Sequence, residues 1–475
     1  MLLAFRRPLF ATSKQSSCRV EAKAAGRGKN GLEAIGMKQA LFCVAMLLIA
    51  AAASADLDKY GGWDGVKGKA TGFFRVEQLN GRWWIIDPLG NAFISVGVCH
   101  VTYWGDRIQG TDRSPYNEAV SAKYGGIQAW AEPTAKRLRG WNLNTIGAWS
   151  VPAMWQQSLP YTVILNIGAS AGGSWLRGTF PDVFSARFGQ IAEDIASREC
   201  RPRAEDDMLL GYFTDNELRW GPDWRSNEPI FSDFMALPAE AGGKRAVVDL
   251  LAARYNNDTA AFNANWGQKL AAFEDLLTVQ KLPLPAQDAG KARADQAAFL
   301  QAVAGQYFRV CREAIRKAAP NHMILGCRFA GYALPEVLAG MKDHVDIVSY
   351  NNYDQNTPTQ ALNWVHQQTN RPVMITEFSF KAMDSGLPNT KGAAQPVPTQ
   401  KDRADGYERY VTGLLKLPFL VGWHWFQWSD QPAEGRFDGE NSNYGLVNIK
   451  DEPWQVLTER MTAFNRRVYE LAQNP

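Results

Sequence analysis

Two stretches of the chain follow the same pattern. Met208–Trp220 reads MLLGYFTDNELRW, an apolar run to Phe213 that breaks into Asp215, Asn216 and Glu217. Pro372–Phe380 reads PVMITEFSF, in which Val373–Ile375 lead to Glu377. Each has the form of a buried strand that delivers a carboxylate at its C-terminal end. Two carboxylates facing each other across a cleft are what glycosidic bond cleavage needs. One protonates the leaving oxygen, and the other attacks the sugar or activates water. A separation of about 5–5.5 Å would make the second a nucleophile and the outcome retaining. One strand-end glutamate alone is as readily an ion-pair partner; two at matching strand ends point to chemistry.

The neighbours of these carboxylates suggest supporting roles. Asn216 precedes Glu217, and an amide there can donate to a sugar hydroxyl beside the anomeric carbon. Asp215 reads as structural, capping the segment that follows. The run Tyr350-Asn351-Asn352-Tyr353-Asp354 ends another apolar stretch. Tyr353 is expected to donate its hydroxyl to Glu377, which would keep that carboxylate ionised and aimed; Tyr350 is expected to face the core. His100 and Arg328 end two further apolar runs and could bind sugar hydroxyls or tune the carboxylates. Trp425 and Trp428 are expected at the cleft, one of them as the floor under the reacting sugar. HExxH, a Walker loop and metal-ligand spacing are all missing from the sequence. No cofactor and no metal are therefore expected.

The elements that must position these residues can be read from periodicity. Asn80-Gly81 between two short apolar segments marks a hairpin. Apolar strands are expected at 93–98, 143–148, 161–167, 208–214, 322–327, 345–350, 373–376 and 419–426. Helical periodicity lies between them, notably at 133–139, 188–198, 401–416 and 454–472. A long helical insertion, with helices near 246–255, 259–266 and 294–318, separates the fourth strand from the fifth. Eight short strands alternating with helices predict an α/β fold, a (β/α)8 TIM barrel with a short N-terminal β-hairpin lead-in. An open doubly wound sheet would show a glycine-rich turn after its first strand; here that strand is followed by Cys99-His100-Val101-Thr102.

Composition sets the outer bounds. A chain of 475 residues with a formal net charge of +3 carries no nucleic-acid footprint. Its 17 tryptophans fit a large core, but many sit beside polar residues near expected strand ends, where planar rings in a cleft would stack on sugar faces. Met37–Ala55, MKQALFCVAMLLIAAAASA, has the parts of a secretory signal peptide: Lys38, an apolar stretch over 40–52, and Ala53-Ser54-Ala55 for cleavage. That stretch is too short for a comfortable membrane span, so no stable membrane insertion is expected. Residues 1–36 are then expected to be a spurious upstream extension, with Met37 the true start and 56–475 a single catalytic domain. Cys99, Cys200, Cys311 and Cys327 show no metal spacing; export permits disulfides among them, but most are expected as small buried hydrophobes.

These motifs together resemble a known group. An Asn-Glu pair after the fourth strand and a Glu after the seventh look like the retaining glycosidases of clan A. ITEFSFKAMDSG, DRADGYERYVTGLLKLP, VGWHWFQWSDQPAEGRFDGEN and YGLVNIKDEPW resemble the family 50 β-agarases. GRWWIIDPLGNAFISVGV is similar to the segment entering their barrel, and YNNDTAAFNANWGQKLAAFEDL to a helical stretch of the family 42 β-galactosidases. The resemblance implies a secreted β-glycoside hydrolase with Glu217 as acid/base, Glu377 as nucleophile and Asn216 as hydroxyl-binding partner. It implies a β-linked galactan such as agarose, or a derived oligosaccharide, as substrate. Many family members carry a sizeable N-terminal carbohydrate-binding-like domain, whereas only Asp56–Gly72 precedes the matching region here. The alternatives are another clan A enzyme (β-galactosidase, β-glucanase or mannanase) or a carbohydrate-binding protein without catalysis.

Overall fold

The structure is a computed structural model that describes residues 57–285 and 289–473. The basic segment 1–36 and the expected leader Met37–Ala55 lie outside the described residues. Four short strands come first: β1 (Trp63–Lys67), β2 (Arg75–Leu79), β3 (Arg82–Ile86) and β4 (Asn91–Phe93). Asn80 and Gly81 both take positive φ, 52° and 78°, which closes the turn between β2 and β3. The lead-in is more than the expected hairpin. It is a four-stranded antiparallel sheet in the order β1-β4-β3-β2.

The main sheet contains β5 (Ser95–Val98), β6 (Thr145–Ile146), β7 (Tyr161–Ile164), β8 (Leu209–Phe213), β9 (Met323–Ile324), β10 (Phe329–Ala330), β11 (Val348–Asn351) and β12 (Val373–Phe378). A small pair, β13 (Phe380–Ala382) and β14 (Gln395–Val397), interrupts before β15 (Leu420–Trp425) completes it. The order is β10-β11-β12-β15-β5-β6-β7-β8-β9, parallel throughout.

This overturns the expected eight-stranded (β/α)8 barrel. The ladder has nine strands, and β9 and β10 stand at its two ends without pairing to each other. The cause is local. Residues 322–327 were expected as one strand, but Gly326 at φ 83° and Arg328 at φ 50° leave the extended region. The chain therefore gives only two ladder residues beside β8, turns, and rejoins the sheet beside β11.

Both faces of the sheet are buried, which explains why its strands read as near-continuous apolar runs. In β8, Leu209 and Tyr212 face the large core, while Leu210 and Phe213 face a second one. That second core also takes Cys99, Met323, Ile347, Met374 and Val421, drawn from the length of the sheet, so the sheet curls around it. The insertion between β8 and β9 is helical: Ile230–Met235, Gly242–Arg254, Thr259–Trp266 and Gly290–Ala318. The closing helix expected over 454–472 is two, Gln455–Asn465 and Val468–Gln473. Cys99, Cys200, Cys311 and Cys327 are buried and unpaired. No helix among the described residues is long and apolar enough to cross a membrane.

Candidate active site

A parallel sheet offers a crevice beyond the C-terminal ends of its strands. Here that crevice is a cleft of about 540 Å³. His100 enters it after β5, Trp149 after β6, Trp175 after β7, Asn216 and Glu217 after β8, and Phe426 after β15. Glu377 enters it from within β12. Asp106, Asp215, Leu176, Arg436 and Phe437 are also part of the wall.

Glu377 is almost fully buried, at 6% exposure. The Nη2 of Arg328 donates to its Oε1 at 2.8 Å, and the hydroxyl of Tyr353 donates to its Oε2 at 2.7 Å. Burial pushes the Glu377 carboxyl above its ordinary value and the nearby Glu217 charge adds to this, while Arg328 and Tyr353 pull it back. The Tyr353 hydroxyl is driven well above its usual range by burial and by the Glu377 charge, so it remains a donor.

Glu217 has φ 49°, in the left-handed region. Its N–H donates to the carbonyl of Arg328 at 3.1 Å. Its Oε1 accepts from Asn351 Nδ2 at 2.9 Å, and its Oε2 from Trp175 Nε1 at 2.8 Å. Asn216 Oδ1 accepts from Arg328 Nη1 at 2.7 Å and from Asn351 Nδ2 at 3.2 Å.

This network sets the orientation of both amides. Arginine can only donate, so the Asn216 atom facing Arg328 is oxygen. The Asn351 atom facing that oxygen must then be nitrogen, and the same nitrogen reaches Glu217. One guanidinium thus links the two carboxylates: directly to Glu377, and through Asn216 and Asn351 to Glu217. The arrangement leaves Asn216 Nδ2 as a donor on a residue that lines the cleft.

Several expected site residues take other places. Arg328 is fully buried and does not line the cleft; it acts behind the carboxylates rather than on a ligand. Trp425 and Trp428 are corrected outright. Both are buried, at 1% and 0% exposure, and neither reaches the cleft. Side chains alternate along a strand. Trp423 and Trp425 therefore share the helix-facing side of β15, where Trp423 Nε1 donates to Tyr407. Between them His424 faces inward, 2.9 Å from Ser95 Oγ. Trp425 Nε1 is spent on the Tyr444 carbonyl and Trp428 Nε1 on the Tyr116 hydroxyl. The cleft aromatics are instead Trp149, Trp175, Phe426 and Phe437.

Asp215 also differs from expectation in what it caps. It accepts from the N–H groups of Gly168 at 2.6 Å and Ala169 at 3.0 Å, closing the turn after β7 rather than the segment after β8. Tyr350 is buried against Phe329, and His100 lines the cleft near Asp106 and Arg436.

No family model matches the sequence. The chain is similar to β-agarase B of Vibrio sp. (strain JT0107), 28% identical over 87% of this chain and 50% of the relative. It is similar to β-agarase A of the same strain, 28% identical over 84% of this chain and 46% of the relative. The solved structure of an exo-β-agarase superposes with a TM-score of 0.79 at 26% identity, over 95% of this chain and 73% of that one. The chain thus spans about half the length of the curated relatives it matches, and most of its own length takes part in each match.

Proposed function

We propose that the chain is a retaining β-glycoside hydrolase of agarase type, cutting β-1,4-galactosidic bonds in agarose or a related galactan or oligosaccharide. The observation that carries this reading is the pair Glu217 and Glu377, held at one cleft by a shared Asn351–Asn216–Arg328 network. Similarity to two β-agarases supplies the substrate class. A binding protein has no need of two carboxylates on a common guanidinium.

The Glu377 carboxylate attacks the anomeric carbon while Glu217 gives its proton to the departing oxygen. A glycosyl ester on Glu377 results. Glu217, now a carboxylate, takes a proton from water, and the resulting hydroxide equivalent displaces Glu377 with a second inversion. Asn216 Nδ2 donates to the hydroxyl next to the reacting carbon. Trp149 and Phe426 offer apolar faces to the ring. We read residues 56–475 as the catalytic unit and Met37–Ala55 as an export signal, on its sequence pattern.

The test uses agarose oligosaccharides, with carrageenan, porphyran and β-galacto-oligosaccharides beside them. Glu377→Ala should abolish turnover. Glu217→Ala should be rescued by azide on an activated substrate, with a β-glycosyl azide as product. Turnover surviving in both variants would sink the assignment.

A further inference from the structure

The Glu217 carboxylate is gripped by a device that reaches well beyond its immediate neighbours. Arg225 has a side chain only 4% exposed. Its Nε and Nη2 grip Asp223 at 2.9 and 2.5 Å, which fixes the plane of the guanidinium. The remaining nitrogen, Nη1, donates to two main-chain carbonyls at once: Trp175 at 3.0 Å and Glu217 at 2.9 Å. Trp175 closes the circuit by donating its indole N–H to Glu217 Oε2. The loop that carries Trp175 is pinned by the Ser174–Thr179 bridge. It also needs Gly178, at φ 64°, where a Cβ would sit 2.9 Å from both Arg219 Cδ and Arg225 Cβ.

The chemistry of the partners gives this ring a purpose. An indole N–H only donates. The Asn351 nitrogen on Oε1 also only donates, by the orientation derived above. Neither partner can accept a proton from Glu217. When Glu217 is protonated, the proton must lie on the part of the carboxyl turned away from both, toward the cleft that Glu217 lines.

We propose that Trp175 and Arg225 are positioning residues for the acid step. Trp175 aims the Glu217 proton at the leaving oxygen, and Arg225 holds both the Trp175 loop and the left-handed Glu217 main chain in register. The proposal rests on the reading of Glu217 as acid/base.

A misaimed acid leaves a particular mark. Cleavage of a poor leaving group needs the proton, whereas a good one departs without it. The probes are the phenyl and 2,4-dinitrophenyl β-glycosides of the agarose disaccharide whose reducing end is galactose. The readout is kcat/KM, which reports the glycosylation step alone. Trp175→Phe and Arg225→Lys, which keeps the charge but loses the fork, should lower it on the phenyl glycoside by about tenfold to hundredfold. On the dinitrophenyl glycoside the loss should shrink to within about threefold. Equal losses on the two probes, or no loss on either, would overturn the proposal. Should Arg225→Lys fail to fold, Trp175→Phe decides alone. Failure of the underlying reading shows separately: Glu217→Ala would then keep wild-type kcat/KM on both probes.

Discussion

At the scale of single residues, the two carboxylates differ in what holds them. Glu377 accepts from a cation and a phenol, both behind the cleft; Glu217 accepts from an amide and an indole. On the proposed mechanism Glu377 must be ionised to attack, and burial already pushes its carboxyl up. The Tyr353 hydroxyl favours the ionised form, so removing it raises that carboxyl further. Tyr353→Phe should therefore move the acid limb of the kcat/KM profile to higher pH and lower the rate at neutral pH by about tenfold, given the usual worth of a hydrogen bond to a charged group. A pH–rate profile of the two proteins checks this, and an unmoved limb would count against it. Arg328→Met removes the charge that offsets buried Glu377. It should cost about 3–5 kcal/mol of stability together with activity, measured by denaturant unfolding. The pairing of Tyr353 with Glu377 could be expected from the sequence because both follow apolar strand runs. Asn351 was open to the same logic, since alternation puts it on the Tyr353 side of Tyr350. Trp175 was not, because it lies in a glycine-rich loop without periodicity. Trp425 and Trp428 were misplaced because proximity to a strand end says nothing about which face a side chain takes.

At the scale of elements, strand ends do the positioning. Asp215 ties the end of β8 to the turn after β7 and accepts from Tyr307 at 2.6 Å. Asp215→Ala strips a buried group from three donors. It should cost roughly 2–4 kcal/mol and disturb Glu217 two residues on; calorimetry and activity should fall together. In the lead-in sheet, burial and the neighbouring Asp58 push the Asp87 carboxyl up to about 7. A carboxyl raised in the folded state stabilises below the ordinary range of about 3.9, and that contribution drains away as pH rises toward 7. Asp87→Asn should thus raise the unfolding midpoint by a few degrees at pH 8 and by less at pH 4; an equal change at both would refute the cause. Most strands and helices followed from apolar runs and 3.6-residue periodicity. The split between β9 and β10 did not, because Leu325-Gly326-Cys327-Arg328 is apolar enough to continue a strand. Only the positive φ at Gly326 and Arg328 breaks it. Strand count, and with it sheet closure, is decided by a few dihedral angles that hydropathy does not record.

At the scale of the whole molecule, the near-balanced charge of the chain conceals an uneven cleft. Asp106, Asp215 and Glu377 line it against Arg436, beside a Glu217 that the proposed mechanism keeps protonated and with Arg328 paired to Glu377 from behind. The Arg436 guanidinium is itself engaged by Glu440 at 2.8 Å, Asp438 at 2.9 Å and Asp106 at 3.9 Å. A sulfate ester entering this cleft meets net negative charge. Sulfated galactan oligosaccharides should show lower kcat/KM than neutral ones of equal length, and added salt should narrow the gap by screening; equal rates at low salt would contradict this. The central claim concerns Glu377, and covalent trapping tests it most directly. A 2-deoxy-2-fluoro β-galactoside with a dinitrophenolate leaving group should inactivate the proposed hydrolase and leave its sugar on one peptide. Mass spectrometry of the digest is predicted to place that label on Glu377. A label on any other residue, or inactivation that persists in Glu377→Ala, would contradict the account.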